Sequence, residues 1–316
     1  MEISPRTRKI LMICIVIIGI LILMADEDER YDYTFEPTGD ITSLYIESDN
    51  VEVKIVEGEA FCVEGESLKK DTYTFEQKGE TLFVKSIKGK FSVYDFDNFD
   101  FPPLITITIP SNIEFDKISI KNGSKEVQMV SVLSAKECKI VTGSGTISMD
   151  KIQVDSFTIQ VGSGDINIKE LSANTMETSV GSGDIQFGYT ECDKLSMEIG
   201  SGDVNCKSLE ARNATVEIGS GRLEAKNVKL MNIAGQTGSG KIYLKGELTG
   251  TSKFTCGSGK IELNIEGDME DYSFKIDGED VSINGKEYSK NYKSEIEMDR
   301  QLQLKAGSGR IDVTIR

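Results

Sequence analysis

Three aspartates, Asp165, Asp184 and Asp203, follow one another at intervals of 19 residues, and three basic residues, Arg222, Lys241 and Lys260, continue the same spacing. Carboxylates stacked close together repel, and a cation between them relieves the repulsion. Calcium takes such oxygen ligands, so it is the one cofactor this pattern suggests, with the three aspartates as its ligands. The plainer reading makes them solvated turn residues, with Asp203 paired to Arg222. Arg222, Lys241 and Lys260 form a candidate interaction face toward an envelope or membrane protein.

Other chemistry is scarce. There is no histidine, which removes the commonest general base and imidazole metal ligand. There is no tryptophan, which weakens a sugar-stacking platform, although 13 Phe and 10 Tyr remain. The six cysteines (Cys14, Cys62, Cys138, Cys192, Cys206 and Cys256) show no CxxC spacing, and five of them, an odd number, lie beyond the apolar N-terminal run. That argues against a disulfide framework. A net charge of -16 repels nucleic acid, so no nucleic-acid partner is expected. The stretch from Tyr94 to Phe101 is aromatic and acidic but lacks the glycine and final glutamate of an EF-hand loop. It reads as a loop packing its aromatics over an open end or side of the fold, or as a partner-contacting loop or loose calcium site.

The elements that position these residues are set by a repeat. Gly-Ser-Gly occurs as Gly143–Gly145, Gly162–Gly164, Gly181–Gly183, Gly200–Gly202, Gly219–Gly221, Gly238–Gly240 and Gly257–Gly259, always 19 residues apart, and again as Gly307–Gly309. Counting from the first glycine as zero, positions 4 and 6 are mostly apolar, as in Ile166 and Ile168, and so are positions 16 and 18, as in Val216 and Ile218. Positions 9, 11 and 14 add inward residues such as Leu171, Ala173 and Met176. Period-two alternation on both sides of the triplet means half-buried strands meeting at a corner. The expected fold is therefore all-β, a single-stranded parallel β-helix with coils of ~19 residues stacked about 4.8 Å apart.

Glycine at the corner is expected to supply backbone angles closed to other residues and to let successive corners approach closely. The corner logic extends to Glu47-Ser48-Asp49-Asn50, to a longer corner between Ile120 and Val127, and to Asp277-Gly278-Glu279-Asp280. A phosphate-cradling loop would need a helix directly after it, which is not patterned here. Uniform coils from Gly143 to Gly257 leave no insertions to wall a cleft, so the chain is not expected to be an enzyme; a polysaccharide-acting β-helix enzyme is the rival class.

Residues Ile10 to Ala25 are apolar, preceded by Arg6, Arg8 and Lys9 and trailed by Asp26-Glu27-Asp28-Glu29. The run reads as one N-terminal transmembrane helix, an uncleaved signal-anchor, with a cleaved signal peptide as the alternative. The basic flank stays cytoplasmic, so residues 26–316 are expected outside the cell. The expected organisation is a cytoplasmic basic stretch 1–9, a transmembrane anchor 10–25, an extracytoplasmic β region 26–121 that starts and caps the solenoid, and the repeat solenoid 122–316.

The strand Ile105-Thr106-Ile107-Thr108-Ile109-Pro110, the later Ile118-x-Ile120 and the Gly-Ser-Gly-Asp-Ile coils give the chain a family resemblance. Over roughly residues 35–316 it resembles the putative-adhesin family of bacteria, toastrack-like domains with a Gly-Ser-Gly-x-Ile repeat. It departs from that pattern in the aromatic-acidic stretch Phe91 to Pro102. The resemblance implies a β-solenoid on the cell surface or anchored to the membrane, adhesion by the family's name, and an association with envelope-stress systems. No catalytic residues come with it. The function expected is a structural or interaction module of the cell envelope, held in the membrane by a single pass. A surface adhesin contacting external ligands is the alternative.

Overall fold

The computed structural model describes residues 30–87, 102–288 and 290–316. The expected transmembrane segment 10–25 and the aromatic residues 91–101 lie outside the described residues. Among the described residues, no helix is long and apolar enough to cross a membrane.

The regular coils form the strands Thr146–Val161, Asp165–Val180, Asp184–Ile199, Asp203–Ile218 and Arg222–Thr237, of 16 residues each. Each pairs in parallel with the equivalent residues of the next coil, as Ile166 with Ile185 and Ile185 with Val204. In the coil that begins at Gly181, the inward residues are Ile185, Phe187, Thr190, Cys192, Leu195, Met197 and Ile199. The steps between them explain the shape. Two-residue steps keep a strand straight, because alternate side chains share a face. Three-residue steps, from Phe187 to Thr190 and from Cys192 to Leu195, leave two consecutive residues outward and turn the strand. A third bend crosses the Gly-Ser-Gly triplet, so each coil has three faces. The first holds positions 3–6, the second 8–11 and the third 13–18. The interior is mostly apolar, with Thr178, Thr190 and Thr237 among its few inward polar residues, and each fully buried aliphatic side chain contributes about 1.5–3 kcal/mol.

The corner glycines answer to close approach alone. None of the triplet glycines has a left-handed φ, which corrects the expectation that they supply special backbone angles. A Cβ on Gly164, Gly183 or Gly202 would sit 2.0–2.1 Å from the carbonyl oxygen of the equivalent glycine one coil earlier. That proximity results from the hydrogen bonds that run unbroken around the corner. Ser182 N and Gly183 N both donate to Gly162 O, at 2.8 and 3.1 Å, and Asp184 N donates to Gly164 O at 3.2 Å.

Two coils depart from the standard. The coil from Gly123 to Thr142 has one extra residue, and Ser131 turns inward between the exposed Val130 and Val132. The coil from Gly238 keeps its length but loses a residue at one bend and regains it at the next, so Gly246 and Leu248 pair with Val228 and Leu230. Gly246 lies at φ +141, with Val228 O 2.3 Å from where its Cβ would be.

Coils do not stack in sequence order at either end. Strand Ser43–Ser48 lies between Thr81–Ser86 and Glu114–Asn122, pairing in parallel with both. Strand Glu52–Gly58 likewise lies between Leu104–Pro110 and the start of Glu126–Thr142. At the other end, Arg300–Ala306 lies between Thr251–Cys256 and Tyr272–Asp277, and Arg310–Ile315 between Lys260–Ile265 and Val281–Ile283. Antiparallel strands finish the edges. Tyr73–Lys78 covers Thr81–Ser86, Cys62–Lys69 covers Leu104–Pro110, and Arg30–Phe35 covers Cys62–Lys69. Short antiparallel pairs, Lys286–Glu287 and Tyr292–Lys293, do the same at the far end. Covered edges deny another chain a ready template.

Candidate functional site

Position 3 forms one vertical column beside the Gly-Ser-Gly corner. Asp165, Asp184, Asp203, Arg222, Lys241 and Lys260 are consecutive rungs, each paired to the next in the parallel ladder. Arg310 continues the column, one rung past Lys260. All six sequence-derived candidates therefore share one edge of the first face.

Most charges of this column are not spent in internal ion pairs. In several other columns opposite charges on adjacent coils pair vertically, as Lys169 with Asp150 at 2.6 Å, Lys151 with Glu170 at 3.0 Å and Lys229 with Glu210 at 2.8 Å. In position 3, acids fill three rungs and bases the next three. Only the junction brings opposite charges onto neighbouring rungs, and Asp203 and Arg222 form no ion pair there, unlike the pairing expected. Among the described residues, Asp165, Asp184, Arg222 and Lys241 are exposed and make no ion pair. Lys260 differs, bound to Glu262 at 3.0 Å and to Asp312 at 3.5 Å. Its ammonium is held above the ordinary lysine range, chiefly by the Glu262 hydrogen bond.

The aspartate half stacks its carboxylates in single file. Asp184 Oδ1 accepts a hydrogen bond from Asp203 N at 3.2 Å. Among the described residues, no three His, Cys, Asp or Glu side chains converge in a way that could hold a metal ion.

The neighbouring column, position 5, runs Asn167, Gln186, Asn205, Glu224, Tyr243 and Glu262. It is an amide ladder beside the acids and a carboxylate-bearing ladder beside the bases. Together the two columns make a flat polar strip.

A feature that the sequence pattern did not reveal is a shallow groove of about 390 Å³ along the bend between the second and third faces. Its floor is Ala173, Cys192 and Ala211, and Glu191, Glu210, Asp193 and Arg212 stand around it. The signal was present: position 11 holds small residues in three successive coils, which draws that edge inward. The groove is open along its length and offers no enclosed pocket.

The cysteines sit where their phase placed them. Cys138, Cys192, Cys206 and Cys256 are buried and free. Burial pushes the thiols of Cys192 and Cys206 up to about 12 and that of Cys138 up as well. Such groups behave as small apolar residues and supply no thiolate nucleophile near neutral pH.

The stacked coils and their glycine corners agree with a known family. The family described as Toastrack DUF4097 matches residues 41–185 and 154–316. The chain belongs to this family. Two solved structures share the toastrack fold. One, from Bacteroides fragilis and described as a putative adhesin, has 16% identity and a TM-score of 0.53, covering 69% of this chain and 98% of its own. Another, from Parabacteroides distasonis with the same description, has 15% identity and a TM-score of 0.57, covering 74% and 97%. Identities this low speak for the toastrack fold alone. No curated protein matches the chain.

Proposed function

We propose that this toastrack chain is a membrane-tethered module that presents its ladder faces outside the cell and binds a component of the envelope. The observation that carries the reading is position 3 of the flat strip, where acids and bases are segregated by sign and Asp165, Asp184, Arg222 and Lys241 are exposed without an ion pair. Flat ladders suit a protein or polymer surface better than a small molecule. The apolar run Ile10 to Ala25, with its basic leading flank and acidic trailing flank, supports an anchor with the solenoid outside. Binding is favoured over catalysis because the grooves are open and histidine is absent. The adhesin descriptions of the structural neighbours favour a second reading, contact with an external surface, and the role in envelope stress belongs to the same class of proposal.

Co-purification from native membranes tests the reading. Recovery of an envelope protein with the wild-type chain, and its loss when Arg222 and Lys241 are reversed to aspartate, is the expected result. Undiminished recovery after the reversal, or glycan turnover by the purified chain, rejects it. Protease added to intact protoplasts should digest the residues beyond Asp26; full protection rejects the outward orientation.

A further inference from the structure

We infer that the position-3 and position-5 strip pairs with the same strip of a second copy of this chain, running antiparallel. The inference rests on the proposed role of this strip as the interaction face, and it names the partner.

The strip is its own complement. Its position-3 charges are antisymmetric about the junction between Asp203 and Arg222, with three acidic rungs on one side and three basic rungs on the other. A two-fold axis through that junction, at right angles to the solenoid axis, places each rung opposite the rung of reversed order. Asp203 then faces the second copy's Arg222, Asp184 faces its Lys241, and Asp165 faces its Lys260. A two-fold contact of this kind uses each pair twice. The inner two pairs carry it, since Lys260 is already engaged by Glu262 and Asp312.

The neighbouring column agrees. In the same superposition Asn205 faces the second copy's Glu224 and Asn167 faces its Glu262, amide donors against carboxylates that Lys226 and Lys260 of their own chain already hold at 2.8 and 3.0 Å. Gln186 meets Tyr243. The next column sets the limit of the contact, because Lys207 would face the second copy's Lys226. A parallel pairing centred on the position-3 column would set every charge of that column against its own sign. The net charge of -16 disfavours unaligned self-association as well.

The alternative internal use of these charges is what the structure lacks. Some charges elsewhere pair vertically with the opposite sign on the next coil, as Lys169 with Asp150, Lys151 with Glu170 and Lys229 with Glu210. Segregation into blocks forgoes that pairing in one molecule and makes it available between two.

Scale predicts weak binding by each pair of copies. Six rungs at about 4.8 Å make a strip roughly 30 Å long and on the order of 12 Å wide, well below the roughly 800 Å² per partner of a stable complex. Multiple copies on a surface would compensate through effective concentration. Antiparallel pairing also points the two N-terminal caps in opposite directions, the arrangement two opposed membranes require.

Disulfide trapping of the full-length chain in detergent tests the geometry. In the variant carrying Asp184→Cys with Lys241→Cys, the new thiols are three rungs apart within one copy, about 14 Å, too far to bridge internally. Antiparallel pairing brings them together between copies, so mild oxidation should give a covalent dimer. Asp184→Cys alone should give none. Dimer from the single variant, or none from the double, overturns the inference. Sedimentation at low salt supplies the second arm. Reversal with Arg222→Asp and Lys241→Asp should lower the dimer fraction at least about tenfold, as should about 1 M salt, where the screening length is about 3 Å. Adding Asp184→Lys and Asp203→Arg to that reversal swaps the column and should restore pairing. Failure of the swap to restore it overturns the inference. Loss of an envelope protein from native membranes without any self-pairing would sink the second copy and spare the interaction face. Self-pairing with no other protein recovered would do the reverse.

Discussion

Ser282 Oγ donates a 2.9 Å hydrogen bond to Asp312 Oδ1, although 30 residues separate the two. The bond ties the outermost layer of the solenoid to the layer beneath it. The same carboxylate takes Arg310 Nε at 2.8 Å and lies 3.5 Å from Lys260 Nζ, so it links three successive layers.

The first prediction concerns that carboxylate. Partial burial opposes its ionisation, but hydrogen bonds from Arg310 and Ser282 and the nearby cations outweigh burial and hold it below the usual aspartate range. A pKa depressed by folding means stability present at neutral pH and lost as pH falls from about 4 toward the folded value. Asp312→Asn should cost about 1–2 kcal/mol at pH 7 and progressively less in acid. Urea melts across that range decide it, and a loss independent of pH rejects the assignment.

The corner glycines give the second. A Cβ at Gly202 would lie 2.0 Å from Gly183 O, and one at Gly200 would lie 2.8 Å from Gly181 O. Gly202→Ala should therefore cost more than about 3 kcal/mol, Gly200→Ala less, and Ser201→Ala under about 0.5. Equal melting of the two glycine variants would contradict the close-approach explanation.

Register gives the third. Removing residues 181–199 joins Val180 to Gly200 and keeps every inward residue inward, because Val180 pairs with Ile199. The shortened chain should fold with a cooperative melt. Removing nine residues, 181–189, turns apolar side chains outward and should abolish that melt.

Calcium supplies the fourth. It takes six to eight oxygens, and Asp165, Asp184 and Asp203 stand in single file with no convergent third carboxylate among the described residues. Calorimetry should detect no heat at millimolar calcium. A heat that disappears in Asp184→Asn would reinstate the site.

Much of the fold was legible in the sequence because the repeat is strict. The phase of Ile166, Ile168, Leu171 and Met176 foretells which side chains face inward, and all four are buried. The column from Asp165 to Lys260 was readable for the same reason, since equal spacing becomes vertical stacking. The stacking order at the ends was not. Leu44 and Ile46 carry the same alternation as any other coil, and nothing in that alternation says which strand lies above them. Only long-range pairing with Leu82 and Val84 on one side and Ile118 and Ile120 on the other does so. The register shift at Gly246 was hidden too, because a loss at one bend and a gain at the next leave the 19-residue count intact. The role of the glycines was half legible: crowding is visible only once coils are stacked.

Strand Arg310–Ile315 occupies a slot between Lys260–Ile265 and Val281–Ile283, both of which precede it in the sequence. During synthesis the layer that will cover this slot leaves the ribosome before the layer that fills it. The far end of the solenoid therefore cannot close progressively, as an ordinary stack of repeats would. It waits for one late insertion. A chain interrupted before residue 300 is then not a shorter rod but a gapped one, with two raw strand edges facing an empty slot, the kind of surface that quality-control proteases and chaperones recognise.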